Sequence, residues 1–299
     1  GFKLILLRPV LHHMSTRVGN LLLKLQASSA LSCPAQALQW TGGVLVSRVA
    51  NLATALRERY KYRAGDRLGM CLPNSADNVI IQLAAAVSGL SVVTAKTPED
   101  LAGKAHLGIK GVFLSESASA NCDFSFCTHQ PLVNAVLQLS EAGDRSSGIE
   151  QFLKEGHSGQ GFAFYNSDKG TDLDTLIQQG EATAKALSLT DSDQVCVPVT
   201  LNHSMGFGFG LMSCLAASSN LILPAPGVEG TLASLQEEGV SVLFADSHTL
   251  KALSGVEANF PSLRIGITKI GSGEGIGLAA SRRWGGVEFI TVGNPPAPK

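Results

Sequence analysis

Charge is scarce in this chain. Asp, Glu, Lys and Arg make up 16% of 299 residues, where an average globular protein has about 25%. Lys and Arg number 23 and Asp and Glu 24, for a net charge of −1. That balance gives no overall electrostatic case for nucleic acid as a partner. With 44% apolar residues and a mean hydropathy of +0.18, the composition excludes a disordered chain. No disulfide framework is visible: the six cysteines, at 33, 71, 122, 127, 196 and 214, are scattered along a long chain and read as small buried thiols. The one cysteine cluster, Cys122-x4-Cys127-x-His129, lacks a fourth ligand and the usual zinc spacing. No nucleophile elbow G-x-S-x-G and no HExxH occurs. Long apolar runs are also missing. Val79 to Ala95 is uncharged but carries Gln82, Ser88, Gly89, Ser91 and Thr94, and Val195 to Val228 is broken by Pro198, Asn202 and His203. Neither matches the 20 or so apolar residues of a spanning helix; both read as buried helix-and-strand units.

Acids are absent from the first 57 residues. Lys3, Arg8, Arg17, Lys24, Arg48 and Arg57 all precede the first acid, Glu58. A basic, leucine-rich, acid-poor start has the character of an organellar targeting segment, or of a retained arm that docks on a partner or an anionic membrane surface. Residues 1–30 are therefore expected to form such an arm, with peripheral membrane or lipid contact through residues 1–25.

What is present is a rhythm. Val46, Val49, Leu52, Ala53 and Leu56 make a helical stripe. A strand over 68–72, a helix over 77–89, a strand over 91–95, a helix over 98–106 behind the N-cap candidate Thr97 and a strand over 111–114 follow. Residues 115–160 are rich in Ser, Gly and Asn and mark a junction. Strand and helix then alternate again from Phe162 to Thr291, with a helix expected over 206–217. The fold class is α/β, in two subdomains, 31–158 and 159–299. The acids Asp168, Asp172 and Asp174 fall at a helix start, where they suit the cap and the dipole. Gly206-Phe-Gly208-Phe-Gly210 reads as close packing of a helix start.

These segments resemble the adenylate-forming superfamily of acyl-CoA synthetases, luciferases and peptide-synthetase adenylation domains. Arg63-Ala-Gly-Asp66-Arg67-Leu-Gly-Met-Cys-Leu72-Pro73-Asn74-Ser75 is similar to that family's "pGDrV-i-lpNs". Ala84 to Val93 resembles its "AalkaGavvvp", and Thr97-Pro98-Glu99-Asp100-Leu101 its "tpeEl". Thr190 to Pro198, with Asn202-His203-Ser204-Met205-Gly206 and Gly208, resembles "t-dDv-l-plPlfHs-g-g-g", and Pro261-Ser262-Leu263-Arg264 resembles "l-sLR". The resemblance runs in order from about residue 40 to 293. It implies an acyl-CoA synthetase-like large domain of two mostly parallel sheets with flanking helices. It also implies that His203 lies beside an acyl pocket, with Gly206, Ser272 and Gly273 as further vestiges of the site.

The family's phosphate-cradling loop, T-S-G-[ST]-T-G-x-P-K, is matched only by Asn166-Ser167-Asp168-Lys169-Gly170. That loop keeps one glycine, lacks the Pro-Lys pair and sets an acid where phosphate would sit. Losing three hydrogen bonds to a charged group costs roughly 5–9 kcal/mol. The family's metal-holding glutamate is matched by Thr291 to Pro296, which contains no acid, and its ribose-binding aspartate, hinge and lysine-bearing small domain would lie past residue 299.

On this reading the chain is expected to be a pseudoenzyme rather than an enzyme, with no cofactor and no metal. Its expected role is an accessory subunit among the other proteins of a large mitochondrial assembly: the ATP synthase, a respiratory complex or the mitoribosome. The alternatives are a carboxylate–CoA ligase completed by another chain, and an acyl or acyl-CoA binding module.

Overall fold

Short apolar runs without alternation belong to strands that are covered on both faces. The computed structural model describes residues 17–25, 29–115, 124–125, 127, 132–133, 163–165, 169–253, 255–256, 259–269, 283–284 and 287–292. Among them the first strands are β1 (Ser29–Cys33), β2 (Leu38–Thr41), β3 (Arg67–Cys71), β4 (Ser91–Thr94), β5 (Ile109–Leu114), β6 (Leu132–Val133) and β7 (Ala163–Tyr165). The later ones are β8 (Gln194–Cys196), β9 (Asn220–Ile222), β10 (Val242–Phe244), β11 (Ile265–Lys269), β12 (Arg283–Trp284) and β13 (Val287–Val292). They form two sheets. One is five-stranded and wholly parallel, in the order β6-β5-β3-β4-β7. The other is eight-stranded, in the order β12-β13-β11-β10-β8-β9-β1-β2, parallel except for the antiparallel edge strands β2 and β12. The chain thus has the α/β class expected from its rhythm and the two mostly parallel sheets that the resemblance implies.

The helices are α1 (Arg17–Lys24), α2 (Gly42–Glu58), α3 (Ala76–Val87), α4 (Pro98–Ala102), α5 (Leu173–Ala186), α6 (Met212–Ala217), α7 (Val228–Glu237) and α8 (Ser247–Leu253). Successive strand residues point to opposite faces, and the cores follow that alternation. On β10, Val242 and Phe244 join a central core, and Leu243 a second core on the other face. On β4, Val92 joins the central core, and Val93 a third. The central core takes in residues of α1, α2, α3, α5 and α6. Leu235 of α7 and Leu253 of α8 belong to the second core, and Leu101 of α4 to the third. Every residue of α3 except Asp77 is buried, which accounts for the uncharged run in the sequence. Among the described residues, no helix is long and apolar enough to cross a membrane.

Two features depart from the sequence reading. Residues 17–24, part of the expected arm, form an inner helix: Val18, Leu21 and Leu22 are buried, and Arg17 pairs with Glu181 at 2.6 Å and Asp174 at 3.6 Å on α5. Their apolar face packs inside the protein. The hairpin β1–β2 was not visible either, because Ser29-Ala-Leu-Ser-Cys33 followed by Pro34 carries no strong strand pattern. It joins the sheet of the second half through β9, while β7 joins the sheet of the first half through β4. The sheets therefore do not divide where the sequence composition shifts.

An amide network, buried at Asn78 and Gln82 and half-buried at Asn74 and Asn202, joins the two sheets. Asn74, just past β3, donates from Nδ2 to the carbonyl of Val199 (2.9 Å) and accepts at Oδ1 from the Leu201 N–H (2.8 Å). Asn78 on α3 donates to Pro73 O (3.0 Å) and to Asn202 Oδ1 (3.1 Å). Gln82, one turn on, donates to Asn78 Oδ1 (2.7 Å) and Leu201 O (3.0 Å). Asn202 donates to Leu72 O at 2.7 Å, and Thr94 Oγ1 donates to Asn202 O at 3.1 Å. The segment after β8 is thereby fixed to the ends of β3 and β4. Buried networks of this kind are costly to leave half-paired.

Within the eight-stranded sheet, Asp193 receives Nε and Nη2 of Arg264, each at 3.0 Å. It also accepts from Ser241 Oγ at 2.7 Å and the Thr190 N–H at 2.9 Å. Burial pushes the Asp193 carboxyl up, but the bonds from Arg264, Ser241 and Thr190 outweigh it and hold the group below its ordinary value of 3.8.

Asn78→Ala should lower stability by about 3 kcal/mol, because Gln82 and Asn202 lose buried partners; the shift of the denaturant midpoint measures it. A depressed carboxylate contributes stability that is complete above its unfolded value of 3.8 and is lost as pH falls through the lower folded value. Asp193→Asn should therefore cost about 2 kcal/mol at neutral pH, discounted for the exposure of Arg264. It should also flatten the fall in stability below 3.8, as read from denaturant midpoints across pH.

Candidate functional site

In open α/β sheets, ligands bind in the crevice beyond the carboxyl ends of the strands. A cavity of about 760 Å³ lies there, within the 300–1,000 Å³ range of small-molecule sites. Its walls come from strand ends: Cys71 closes β3, Thr94 closes β4, Ser115 follows β5, and Asp246 follows β10. The Val199–Met205 segment, held by the amide network, closes the side toward β8. The site thus uses both sheets, and the network that joins the sheets sets its width.

Leu72, Pro73, Pro98, Val199 and Met205 give the cavity an apolar lining. His203 and Lys96 supply the basic groups of the wall. Nδ1 of His203 accepts the Met205 N–H at 3.2 Å, so in the neutral ring the proton is assigned to Nε2. Lys96 is exposed at the mouth. The acid in the wall, Asp246, is engaged as the cap of α8: its Oδ1 accepts from Thr249 N and Oγ1, both at 2.8 Å. Lys104, outside the wall, donates to the Thr94 carbonyl at 2.8 Å and holds the end of β4. The arrangement suits a ligand with an apolar body and an anionic or carbonyl end.

Of the residues singled out from sequence, His203 lies in the cavity wall. Gly206 does not; it serves packing. A Cβ there would sit 2.2 Å from the Thr200 carbonyl oxygen, and one at Gly208 2.5 Å from Gln179 Oε1. The helix expected over 206–217 begins as a π-helical turn over Met205–Leu211 before α6. This wider turn, a rare form often found at functional sites, adjoins the cavity through Met205. Lys169 and Gly170 are exposed, next to Thr171, which bridges to Ala163. Asn166, Ser167, Asp168, Ser272 and Gly273 lie outside the described residues, as do Cys122 and His129. Asp172 caps α5, accepting from Thr175 N at 2.7 Å, and Asp174 faces Arg17 at 3.6 Å, in keeping with a structural role.

Cys33, Cys71, Cys196 and Cys214 are buried. Burial, with Asp77 nearby, pushes the Cys33 thiol up to about 12, and burial lifts Cys127 to about 11. Such thiols stay protonated and unreactive at neutral pH. Among the described residues no group of His, Cys, Asp and Glu could hold a metal ion. Sequence reasoning missed Lys96, Thr94 and Asp246. Thr94 ends β4, and Lys96 and Asp246 lie two residues past the ends of β4 and β10; that position was the available signal.

No protein family matches the chain by sequence, and no curated protein does. Solved structures do match its fold. The N-terminal domain of FACL13 from Mycobacterium tuberculosis aligns with a TM-score of 0.71 at 17% identity, over 92% of this chain and 75% of that one. O-succinylbenzoate coenzyme A synthetase MenE from Bacillus subtilis, in complex with AMP, aligns at 0.67 and 16%, over 85% of this chain and 54% of that one. An ATP-bound RpMatB–BxBclM chimera aligns at 0.69 and 15%, over 86% and 55%. The chain therefore spans little more than half the length of these two synthetase chains. The expectation that it is not an enzyme is corrected here. The folds it shares are those of CoA synthetases, including forms solved with AMP and ATP. Of the loop behind that expectation, Asn166–Gly170, residues 166–168 lie outside the described residues, and where the sequence ends says nothing about activity. The chain has the fold of the acyl-CoA synthetase-like N-terminal domain of adenylate-forming enzymes.

Proposed function

We propose that this chain is the acyl-binding large domain of a carboxylate–CoA ligase. The observation that carries the reading is the cavity at the strand ends, apolar in body, with His203 and Lys96 in its wall. The hydrocarbon part of an acyl substrate lies against Leu72, Pro73, Val199 and Met205. Removing such surface from water gives roughly 0.8 kcal/mol per methylene. The Nε2–H of His203 donates to the carboxylate or the thioester carbonyl, and Lys96 neutralises charge at the mouth. In the reaction this reading implies, a carboxylate oxygen attacks the α-phosphorus of ATP and pyrophosphate leaves. A thiol then displaces AMP from the acyl-adenylate.

The test is calorimetric titration with a series of straight-chain and aromatic carboxylates and their CoA thioesters. At least one should bind, with a negative heat-capacity change. His203→Ala and Lys96→Met should each weaken it by about tenfold, the loss of one hydrogen bond to a charged group. Retention of full affinity by both variants, or no binding across the series, sinks the proposal. ATP-dependent pyrophosphate release with the carboxylate that binds best should be detectable and should fall in His203→Ala.

A further inference from the structure

We infer that the exposed loop at the amino-terminal end of the five-stranded sheet is a docking surface for an anionic lipid bilayer. In a chain with 23 cations among 299 residues, Arg57, Arg59, Lys61, Arg63 and Arg67 fall within the segment 57–67. This segment joins the end of α2 to β3. Arg59, Lys61 and Arg63 are exposed. Of the two acids in the segment, Glu58 is exposed at the end of α2, and Asp66 is engaged: Oδ2 accepts the Arg63 N–H at 2.8 Å, and Oδ1 pairs with Lys110 at 2.5 Å; the five cations leave the segment a net charge of +3. Arg67 donates to the Leu107 carbonyl, which ties the start of β3 to the start of β5. Arg59 lies over the Tyr60 ring at 5.6 Å, and Lys61 takes a left-handed backbone, φ 59°, where glycine or asparagine would be less strained. Among the described residues Arg59, Lys61 and Arg63 form no salt bridge.

The chemistry of the surroundings selects the partner. A protein interface needs an apolar centre, and the sole large apolar residue exposed among the described residues, Val44, is at the opposite end of α2. A nucleic-acid surface needs a protein whose field is broadly positive, and the net charge here is −1. Cations clustered on a loop, with an aromatic ring beside them and no apolar patch, suit the diffuse negative potential of anionic headgroups. The cavity opens at the carboxyl ends of β3 and β4, so a bilayer at their amino ends leaves it accessible.

Sedimentation of the full chain with vesicles tests this. Vesicles containing about one third phosphatidylglycerol should carry the protein down, phosphatidylcholine vesicles should not, and binding should fall with added salt. Arg59→Gln/Lys61→Gln/Arg63→Gln, all at exposed positions, should keep the wild-type melting temperature and weaken binding by about a hundredfold. Lys3→Gln/Arg8→Gln should bind like the wild type. Four results would overturn the inference. They are equal sedimentation of the triple variant, loss confined to Lys3→Gln/Arg8→Gln, equal binding to both vesicle types, and capture by an RNA homopolymer without vesicle binding.

Discussion

Four side-chain amides, Asn74, Asn78, Gln82 and Asn202, carry the junction on which the rest of the molecule depends. They sit where two parallel sheets approach one another, at strand ends with backbone groups that no ladder pairs. An amide offers donors and an acceptor at once, so it can bond a carbonyl on one side and an N–H on the other. Apolar residues of the same size would leave Leu72, Val199 and Leu201 with carbonyl or amide groups that no protein group pairs. The cost is visible: Gln82 Oε1 is itself buried without a partner. That imperfection fits a network whose geometry is set by backbone positions rather than by each amide's own needs.

From this junction the cavity follows. The segment that bears Val199, Thr200 and His203 would otherwise be a mobile connection, since loops of this kind normally lie on the surface. Anchored at Asn74 and Asn78, it becomes a wall. The π turn behind it, packed through Gly206 and Gly208 against Thr200 and Gln179, makes that wall thin and close. The resulting site has two basic groups and one acid, the acid being engaged as a helix cap. On the proposed reading, that arrangement suits carboxylates and thioesters rather than cations.

Electrostatics elsewhere in the fold are used sparingly, in keeping with a chain of 16% charged residues. The Asp193–Arg264 pair holds the β8, β10 and β11 region together with two parallel bonds, a geometry stronger than a simple surface contact. The cations of 57–67 are gathered at the end of the parallel sheet away from the cavity, so the two anion-attracting regions do not compete for one ligand.

The sequence by itself determined the alternation of strands and helices and the order of motifs from residue 40 to 293, because both are local. Apolar runs without alternation require cover on both faces, and caps such as Ser75, Thr97 and Asp172 are read within four residues of chain. Tertiary structure alone decided which strands share a sheet. β1 pairs with β9, nearly two hundred residues away, and carries its hairpin partner β2 to the edge of that sheet, a choice made by packing that no local pattern encodes. The same holds for the site. His203 was legible through its motif. Lys96, Thr94 and Asp246 become neighbours of His203 only when two sheets meet, and their chemistry depends on bonds between residues far apart in the chain.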